Sequence, residues 1–320
     1  MQNATLFWWS LLCGVSAVNV LAWVASTYFL RYRSGSLQPG TWTTTHWHVV
    51  LSAGYVLGCA YRSVFPVFDV QRLVMVDSWL SSVVVGRSVA TIAELCFAAQ
   101  WAFLLNDMAQ GYGSKTAAKV SRCIVPMIVT AEICCWYAVL TTSNLGHVFE
   151  SSLWGLSAAM LVASFLLLWP GSQRSHRPLL ALVGAIGLAY VVYMFSVDVP
   201  MYWRRWVYAT GQGHQYLSFS EGLSDISGRW VVSHNWADWQ QEVVWMSLYF
   251  SVAVWLSIGI GHASLALSYR NKAIPLYQEE LGSVRKQTWL SVPWFFGSNL
   301  FSALGSRVRW NLAKKFPIEH

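Results

Sequence analysis

The chain has 320 residues, of which 55% are hydrophobic and only 11% are charged. Soluble domains carry about 25% charged residues, so a water-soluble core cannot explain this deficit over the whole length, whereas a lipid bilayer can. The formal net charge is +7, but the basic residues fall between apolar stretches and form no basic face for nucleic acid. Twenty Trp residues fit a membrane protein, because indole rings collect at bilayer interfaces.

Seven apolar stretches approach the length of about 20 residues that a helix needs to cross the hydrocarbon core. They are Leu6–Leu30, Val49–Phe65, Trp79–Leu105, Ile124–Leu140, Leu153–Trp169, Leu179–Val197 and Val243–Leu267. The sequence therefore predicts an all-α, polytopic integral membrane protein with a seven-helix bundle over residues 1–269. We expect it in a plasma membrane or an inner membrane, in contact with membrane lipids.

The distribution of basic residues predicts the orientation of these spans. If the seven spans alternate, fifteen Lys and Arg residues lie on the side of the C-terminus, five lie on the opposite side, and Arg87 lies within the third span. Positive charge near the ends of spans stays on the cytoplasmic side. The pattern therefore predicts an N-terminus outside and a C-terminus in the cytoplasm.

Two regions lie outside the predicted spans. Residues 198–242 form an outer connection rich in Trp and Tyr, which is expected to lie on the membrane interface or to cap the bundle. Residues 270–320 form a basic cytoplasmic tail, and its segment 289–310 mixes aromatic residues with arginines. That mixture favours an interfacial segment held on anionic lipid, and a partner-docking helix is the alternative.

Two carboxylates lie inside predicted spans, Glu94 in the third and Glu132 in the fourth. A charge at bilayer depth costs roughly 2.5–3.5 kcal/mol, so such residues normally face a bundle interior and mark a functional site. Because consecutive antiparallel spans usually pack together, we expect the two glutamates to share one cavity. Arg87 lies on the same helix face, but its separation of about 10 Å from Glu94 along the axis predicts no direct contact.

The outer connection after the fourth span carries Asn144, His147 and Glu150. His147 and Glu150 are three residues apart at the expected start of the fifth helix, so they share a face. Together with Glu132 they are candidate ligands for a divalent metal. The alternative is structural: Glu150 is stabilised by the helix dipole, and His147 lies among the lipid headgroups.

Several arginines cluster in sequence near the outer ends of spans two and three. Arg62, Arg72 and Arg87, facing Asp69 and Asp77, predict either an ion-paired lid or an anion site for a phosphate headgroup. The candidate substrate-binding residues are Arg62, Arg72, Arg87, Asp77, Asn144 and Tyr137.

The leading functional hypothesis is an enzyme that acts on a lipid or lipid-linked substrate, with phosphate-bearing lipids among the candidates. Its proton-transfer residues would be Glu94, Glu132 and His147, because burial tunes such groups for acid–base work. One alternative is a proton- or cation-coupled transporter that uses Glu94 and Glu132. Another is a non-catalytic membrane subunit that binds lipid, pigment or partner chains.

Overall fold

The computed structural model describes residues 2–35, 41–172, 174 and 177–270, and most of this part of the chain is helical. The helices are α1 (Gln2–Gly35), α2 (Thr41–Val64), α3 (Val83–Tyr112), α4 (Lys115–Thr141), α5 (Leu145–Leu168), α6 (Arg177–Tyr193), α7 (Val199–Gly211), α8 (Phe219–Gly228), α9 (Trp236–Trp239), α10 (Val243–Tyr249) and α11 (Val252–Arg270). A 3-10 turn covers Trp79–Ser81, and a π-helical segment, Met194–Asp198, joins α6 to α7. The all-α prediction is confirmed, and the predicted interfacial segment 289–310 lies outside the described residues.

Six helical stretches in the described part of the chain are long and apolar enough to cross a membrane. They are Asn3–Arg33, Val83–Tyr112, Lys115–Thr141, Leu145–Leu168, Arg177–Gly211 and Val243–Leu265. The protein is therefore a multi-pass helical membrane protein. The predicted second span, Val49–Phe65, falls mostly within α2, which is helical but is not among the six. The count of seven spans and their orientation stay predictions.

Helix α2 nevertheless packs inside the bundle, against α1, α3 and α11. Tyr55 and Val56 on α2 are fully buried in the largest hydrophobic cluster. Two glycines permit a close approach to α3: an added Cβ at Gly54 would lie 2.6 Å from Cys96 Sγ, and one at Gly58 would lie 2.6 Å from Ala93 Cβ. This agrees with the packing that small residues spaced four apart provide between membrane helices.

A buried amide joins three of these helices. Gln100 on α3 donates through Nε2 to the carbonyl oxygens of His48 on α2 (2.9 Å) and Ser257 on α11 (3.2 Å). Ser257 Oγ donates back to Gln100 Oε1 at 2.6 Å. Every polar group of the Gln100 side chain is thus used, as buried amides require.

Helices α3, α4 and α5 follow one another as two tight hairpins. Gly113 ends α3 with a φ of 72°, and the Ser114 side chain caps α4 by accepting from Ala117 N. Between α4 and α5 only residues 142–144 are non-helical. An added Cβ at Gly146 would lie 2.3 Å from the carbonyl oxygen of Cys134, so the two backbones are in direct contact there.

The predicted outer connection, 198–242, is largely ordered into short elements. Its strand β3 (Val231–Val232) pairs in parallel with β2 (Leu73–Val74), and β2 pairs antiparallel with β1 (Val67–Phe68). Helix α8 packs on the end of α4, where an added Cβ at Gly222 would lie 2.0 Å from the carbonyl oxygen of Leu140. The segment before α3 and the connection before α10 therefore form one structure over this end of the bundle.

Candidate functional site

A buried guanidinium connects the two intramembrane carboxylates. Arg87 Nη2 donates to Glu94 Oε2 at 2.8 Å and to Glu132 Oε2 at 2.7 Å. The prediction that Arg87 is too far from Glu94 for direct contact is wrong, because two long side chains directed along the same helix face span two helical turns. Glu94 and Glu132 therefore meet at one guanidinium, but they do not share a cavity as expected, because Glu94 lines the cavity described below and Glu132 does not.

Neutral donors from two helices hold the same carboxylates. Thr91 Oγ1, one turn from Arg87 on α3, donates to Glu132 Oε2 at 2.6 Å and accepts from Trp136 Nε1 at 3.1 Å. Tyr249 on α10 donates its hydroxyl hydrogen to Glu94 Oε1 at 3.0 Å. Such hydrogen bonds lower the cost of burying charge.

The three predicted arginines converge on Asp69. Arg62 Nη1 lies 3.4 Å from Asp69 Oδ1, and Arg87 Nη1 lies 3.8 Å from Asp69 Oδ2. Arg72 donates to the backbone carbonyl oxygen of Asp69 instead. The loop between α2 and α3 therefore brings a third carboxylate to the cluster.

Arg72 belongs to a structural clamp and does not line the cavity described below. Its side chain is fully buried and donates to Asp225 Oδ2 (2.7 Å) and to the carbonyl oxygen of Val139 (2.8 Å). Partial burial favours a higher pKa for Asp225, but the hydrogen bonds from Arg229 and Arg72 hold that pKa below its usual value. Arg72 thus ties β2, α4 and α8 together.

The first two turns of α5 add a histidine–carboxylate pair. His147 Nδ1 and Glu150 Oε2 are 2.7 Å apart, and Glu150 Oε1 lies 3.8 Å from Arg87 Nη2. The His147 ring packs on Tyr202, with ring centroids 4.8 Å apart. Glu150 therefore links His147 to the arginine-centred cluster.

Two groups of potential metal-ligand atoms occur here among the described residues. Cys135, His147 and Glu150 form one, and Glu94, Glu132 and Glu150 form the other; within each group the ligand atoms lie within 4.8 Å of one another. The predicted metal set was His147, Glu150 and Glu132, so the structure divides it between the two groups. Cys135 was missed, although its place three residues after Glu132 puts both on one face of α4.

The cluster borders a cavity of about 480 Å³. Along α5 the lining changes from Asn144, His147 and Glu150 to Trp154, Ala158, Leu161 and Phe165. The same change, in the same direction across the bundle, occurs on α3 from Arg87 and Glu94 to Phe97 and Trp101, and from Glu242 to Ala253 and Leu256. The cavity thus has a charged end and an apolar, aromatic end.

Further polar residues at the charged end come from distant parts of the chain and were not predicted. Asp198, in the π-helical segment, accepts a hydrogen bond from Ser151 Oγ at 2.7 Å. Glu242 lies 3.4 Å from Arg205 Nη2, and burial raises the pKa of Glu242 although Arg205 opposes the shift. Asp198 was visible in sequence only as the end of an apolar run.

The remaining predicted binding residues divide into two groups. Asn144 is buried and lines the cavity, and its Oδ1 has no hydrogen-bond partner among the described residues. Asp77 instead accepts from Trp230 Nε1 at 2.9 Å, and Tyr137 is 42% exposed beside Phe219. Neither Asp77 nor Tyr137 lines the cavity.

The charge balance of the cluster restricts what it can bind. Asp69, Glu94, Glu132 and Glu150 provide four carboxylates, and Arg62 and Arg87 provide two guanidiniums that already contact them. Unbalanced buried charge is costly. The cluster therefore favours protons, a cation or a hydrogen-bond donor over an additional anion.

Comparisons with protein-family models, with curated proteins and with solved structures give no match for this chain. The fold and the site define its class: a multi-pass helical membrane protein whose bundle surrounds a cavity with one charged end and one apolar end.

Proposed function

We propose that this protein is a membrane enzyme that acts on an amphipathic, lipid-like substrate. The observation that carries the proposal is the change of the cavity lining from charged to apolar in one direction across several helices. A substrate with a polar group and a hydrocarbon chain matches that gradient, because each part meets a wall of its own polarity. The cavity volume, about 480 Å³, lies within the usual range for small-molecule sites.

The excess of carboxylates over guanidiniums restricts which polar group the substrate can carry. A phosphate would compete with carboxylates for Arg62 and Arg87, and it would add negative charge to a cluster that already holds more acids than arginines. Hydroxyl, amide or amine groups donate hydrogen bonds, which Glu94, Glu150 and Asn144 can accept. We therefore favour a neutral or cationic headgroup over the phosphate-bearing substrate considered from the sequence.

His147 and Glu150 are the proposed proton-transfer pair. Their contact of 2.7 Å orients the imidazole, which is one role of the carboxylate that holds the histidine in a catalytic triad. Arg87 lies next to this pair and is able to stabilise negative charge that develops on the substrate. Glu94 and Glu132 hold the guanidinium of Arg87 in place.

Mass spectrometry of the lipid that copurifies with the protein in mild detergent tests this proposal. Ala158→Trp, which fills the apolar end of the cavity, is expected to lose the bound lipid. Ala163→Trp is the matched control, because Ala163 is exposed on the same helix and does not line the cavity. Glu150→Gln is expected to retain the lipid and to accumulate substrate at the expense of product.

Equal lipid content in the Ala158→Trp and Ala163→Trp proteins would refute binding in this cavity. If Glu150→Gln leaves the ratio of bound substrate to product and the membrane lipid profile unchanged, the enzymatic role of His147 and Glu150 is wrong.

A second candidate function is a transporter, which is favoured by the excess of carboxylates and by the π-helical segment beside the cavity. A transporter predicts loss of transport instead of loss of lipid chemistry. In that case Glu150→Gln in liposomes would abolish pH-dependent uptake without altering lipid chemistry.

We also propose that α2 is a seventh span, with the N-terminus outside and the C-terminus in the cytoplasm. The packing of α2 between α1, α3 and α11 and the bias of basic residues support this arrangement. A membrane-impermeant thiol reagent applied to intact cells should label a Cys introduced at Gln2 and leave one introduced at Ser114 unlabelled. The reverse pattern, or labelling of both sites, would contradict the proposal.

A further inference from the structure

A thiol, an imidazole and a carboxylate meet at the charged end of the cavity. Cys135 Sγ lies 3.9 Å from His147 Nδ1, and Glu150 Oε2 lies 2.7 Å from the same nitrogen. Cys135 is fully buried and His147 is almost so. The close approach of α4 and α5 at Gly146 fixes these distances, since no side chain separates the two backbones there.

We propose that Cys135, His147 and Glu150 bind a zinc-type divalent ion. The mixed sulfur, nitrogen and oxygen donor set favours a borderline-soft ion such as Zn²⁺ over Mg²⁺ or Ca²⁺, which prefer oxygen alone. A bound ion would replace the hydrogen bond between His147 Nδ1 and Glu150, so water on the ion, and not the histidine–carboxylate pair, would then transfer the proton. The catalytic role of the ion rests on the proposed function. Binding of the ion itself, however, is measurable without any lipid.

The geometry requires only small adjustments. Around a tetrahedral ion, Zn–N and Zn–O bonds of about 2.0–2.1 Å and a Zn–S bond of about 2.3 Å place the nitrogen and oxygen roughly 3.4 Å apart and the nitrogen and sulfur roughly 3.6 Å apart. The contact between Cys135 and His147, 3.9 Å, would have to shorten by about 0.3 Å, and the His147–Glu150 contact, 2.7 Å, would have to lengthen by about 0.7 Å, on those bond lengths. Rotation of the Glu150 side chain can supply the larger change.

Two further observations support a cation here. The surrounding cluster has two more carboxylates than guanidiniums, and a coordinating Cys135 thiolate adds a third negative charge, so a divalent ion reduces the negative excess from three to one. In addition, the buried oxygens Glu132 Oε1 and Asn144 Oδ1 have no donor among the described residues. Glu132 lies one turn from Cys135, and Asn144 lies one turn from His147, so both oxygens belong to residues that neighbour the proposed ligands along the chain.

The position of the site is that of a catalytic ion. His147 and Glu150 line the cavity, whereas Cys135 lies behind them. An ion held by three protein ligands keeps a fourth position for water or substrate, and His147 and Glu150 put the site beside the charged end of the cavity. The ion would activate that water or polarise the polar group of the lipid.

Metal analysis of the detergent-purified, Zn²⁺-supplied protein tests the proposal. After removal of loosely bound metal, we expect about one Zn²⁺ per chain, and a Co²⁺-loaded sample should show a thiolate-to-metal charge-transfer band. Cys135→Ser should lose the band and weaken Zn²⁺ binding at least tenfold. Mutation of residues that only support the ligands already weakens metal binding 10- to 100-fold, and loss of a ligand itself should do no less. Cys134→Ser is the matched control, because Cys134 belongs to neither ligand group, and it should keep both.

Helix content and gel filtration show whether Cys135→Ser folds. If it does not, Cys135→Ala and His147→Asn test the same loss of Zn²⁺ binding. Wild-type protein without stoichiometric Zn²⁺, or equal Zn²⁺ in the Cys134 and Cys135 variants, overturns the proposal. Lipid content measured on the same samples keeps the two proposals separate. Metal-free protein that retains its lipid would refute the ion site and leave the substrate site standing.

Discussion

Arg87→Gln is expected to destabilise the protein by about 3–5 kcal/mol, the usual cost of breaking a buried ion pair. The guanidinium contacts Glu94 and Glu132 directly and lies 3.8 Å from Asp69 and Glu150. Its removal leaves four carboxylates against Arg62 alone. The neutral amide of Gln cannot offset that charge, so we expect a lower yield and a lower unfolding temperature in detergent.

Two further variants distinguish the effect of unbalanced buried charge from a general loss of stability on replacing an arginine. Adding Glu94→Gln to Arg87→Gln should recover part of the lost stability, because the double variant buries one carboxylate fewer. Arg204→Gln removes an exposed arginine of α7 and should leave the unfolding temperature unchanged. An Arg87→Gln protein as stable as the wild type, or a double variant less stable than the single one, would refute the central role of Arg87.

Gly146→Ala is expected to force α4 and α5 apart and to disrupt the site between them. The added Cβ would lie 2.3 Å from the Cys134 carbonyl oxygen and 2.8 Å from Ala138 N. These are backbone atoms, so relief requires movement of a whole helix, and overpacking of this kind costs about 1–3 kcal/mol or more. Because Cys135 and His147 flank the contact, the variant should also lose Zn²⁺.

The measurement compares unfolding temperature and bound Zn²⁺ in Gly146→Ala and Gly184→Ala. An added Cβ at Gly184, on α6, meets no atom within 4 Å. In an open helical position Ala is favoured over Gly by roughly 0.5–1 kcal/mol, so Gly184→Ala should be neutral or stabilising. If Gly146→Ala and Gly184→Ala have the same unfolding temperature and the same bound Zn²⁺, the close contact of α4 and α5 does not contribute to stability or to the site.

The length of the apolar stretches predicted most of the helices. It misplaced a helix end where contacts with other helices allow polar residues to continue the helix. The sixth predicted span ended at Val197, whereas the helix continues to Gly211. Asp198 and Pro200 interrupt the apolar run, yet Ser151 hydrogen-bonds Asp198, and Pro200 lies at the start of α7, where its missing N–H costs little. Neither compensation is visible in one sequence.

The site was predictable where its parts are close in sequence. Glu94 and Glu132 lie on consecutive antiparallel spans, and His147 and Glu150 lie one turn apart, so their grouping followed from helix geometry. Cys135 could not be distinguished from Cys134 without knowing which face of α4 meets α5. Asp198 and Glu242 reach the cavity from the far end of the chain, and no local pattern encodes that contact.

The Gln100 amide has a consequence for how the chain is made. Its partner on α2, the carbonyl oxygen of His48, precedes it in synthesis, but Ser257 on α11 is added 157 residues later. Until α11 arrives, the carbonyl oxygen of the Gln100 side chain lacks the hydroxyl that satisfies it, at a depth where water is scarce. A chain truncated before α11 therefore leaves Gln100 Oε1 without the Ser257 donor, so this bond between α3 and α11 forms only once α11 has been made.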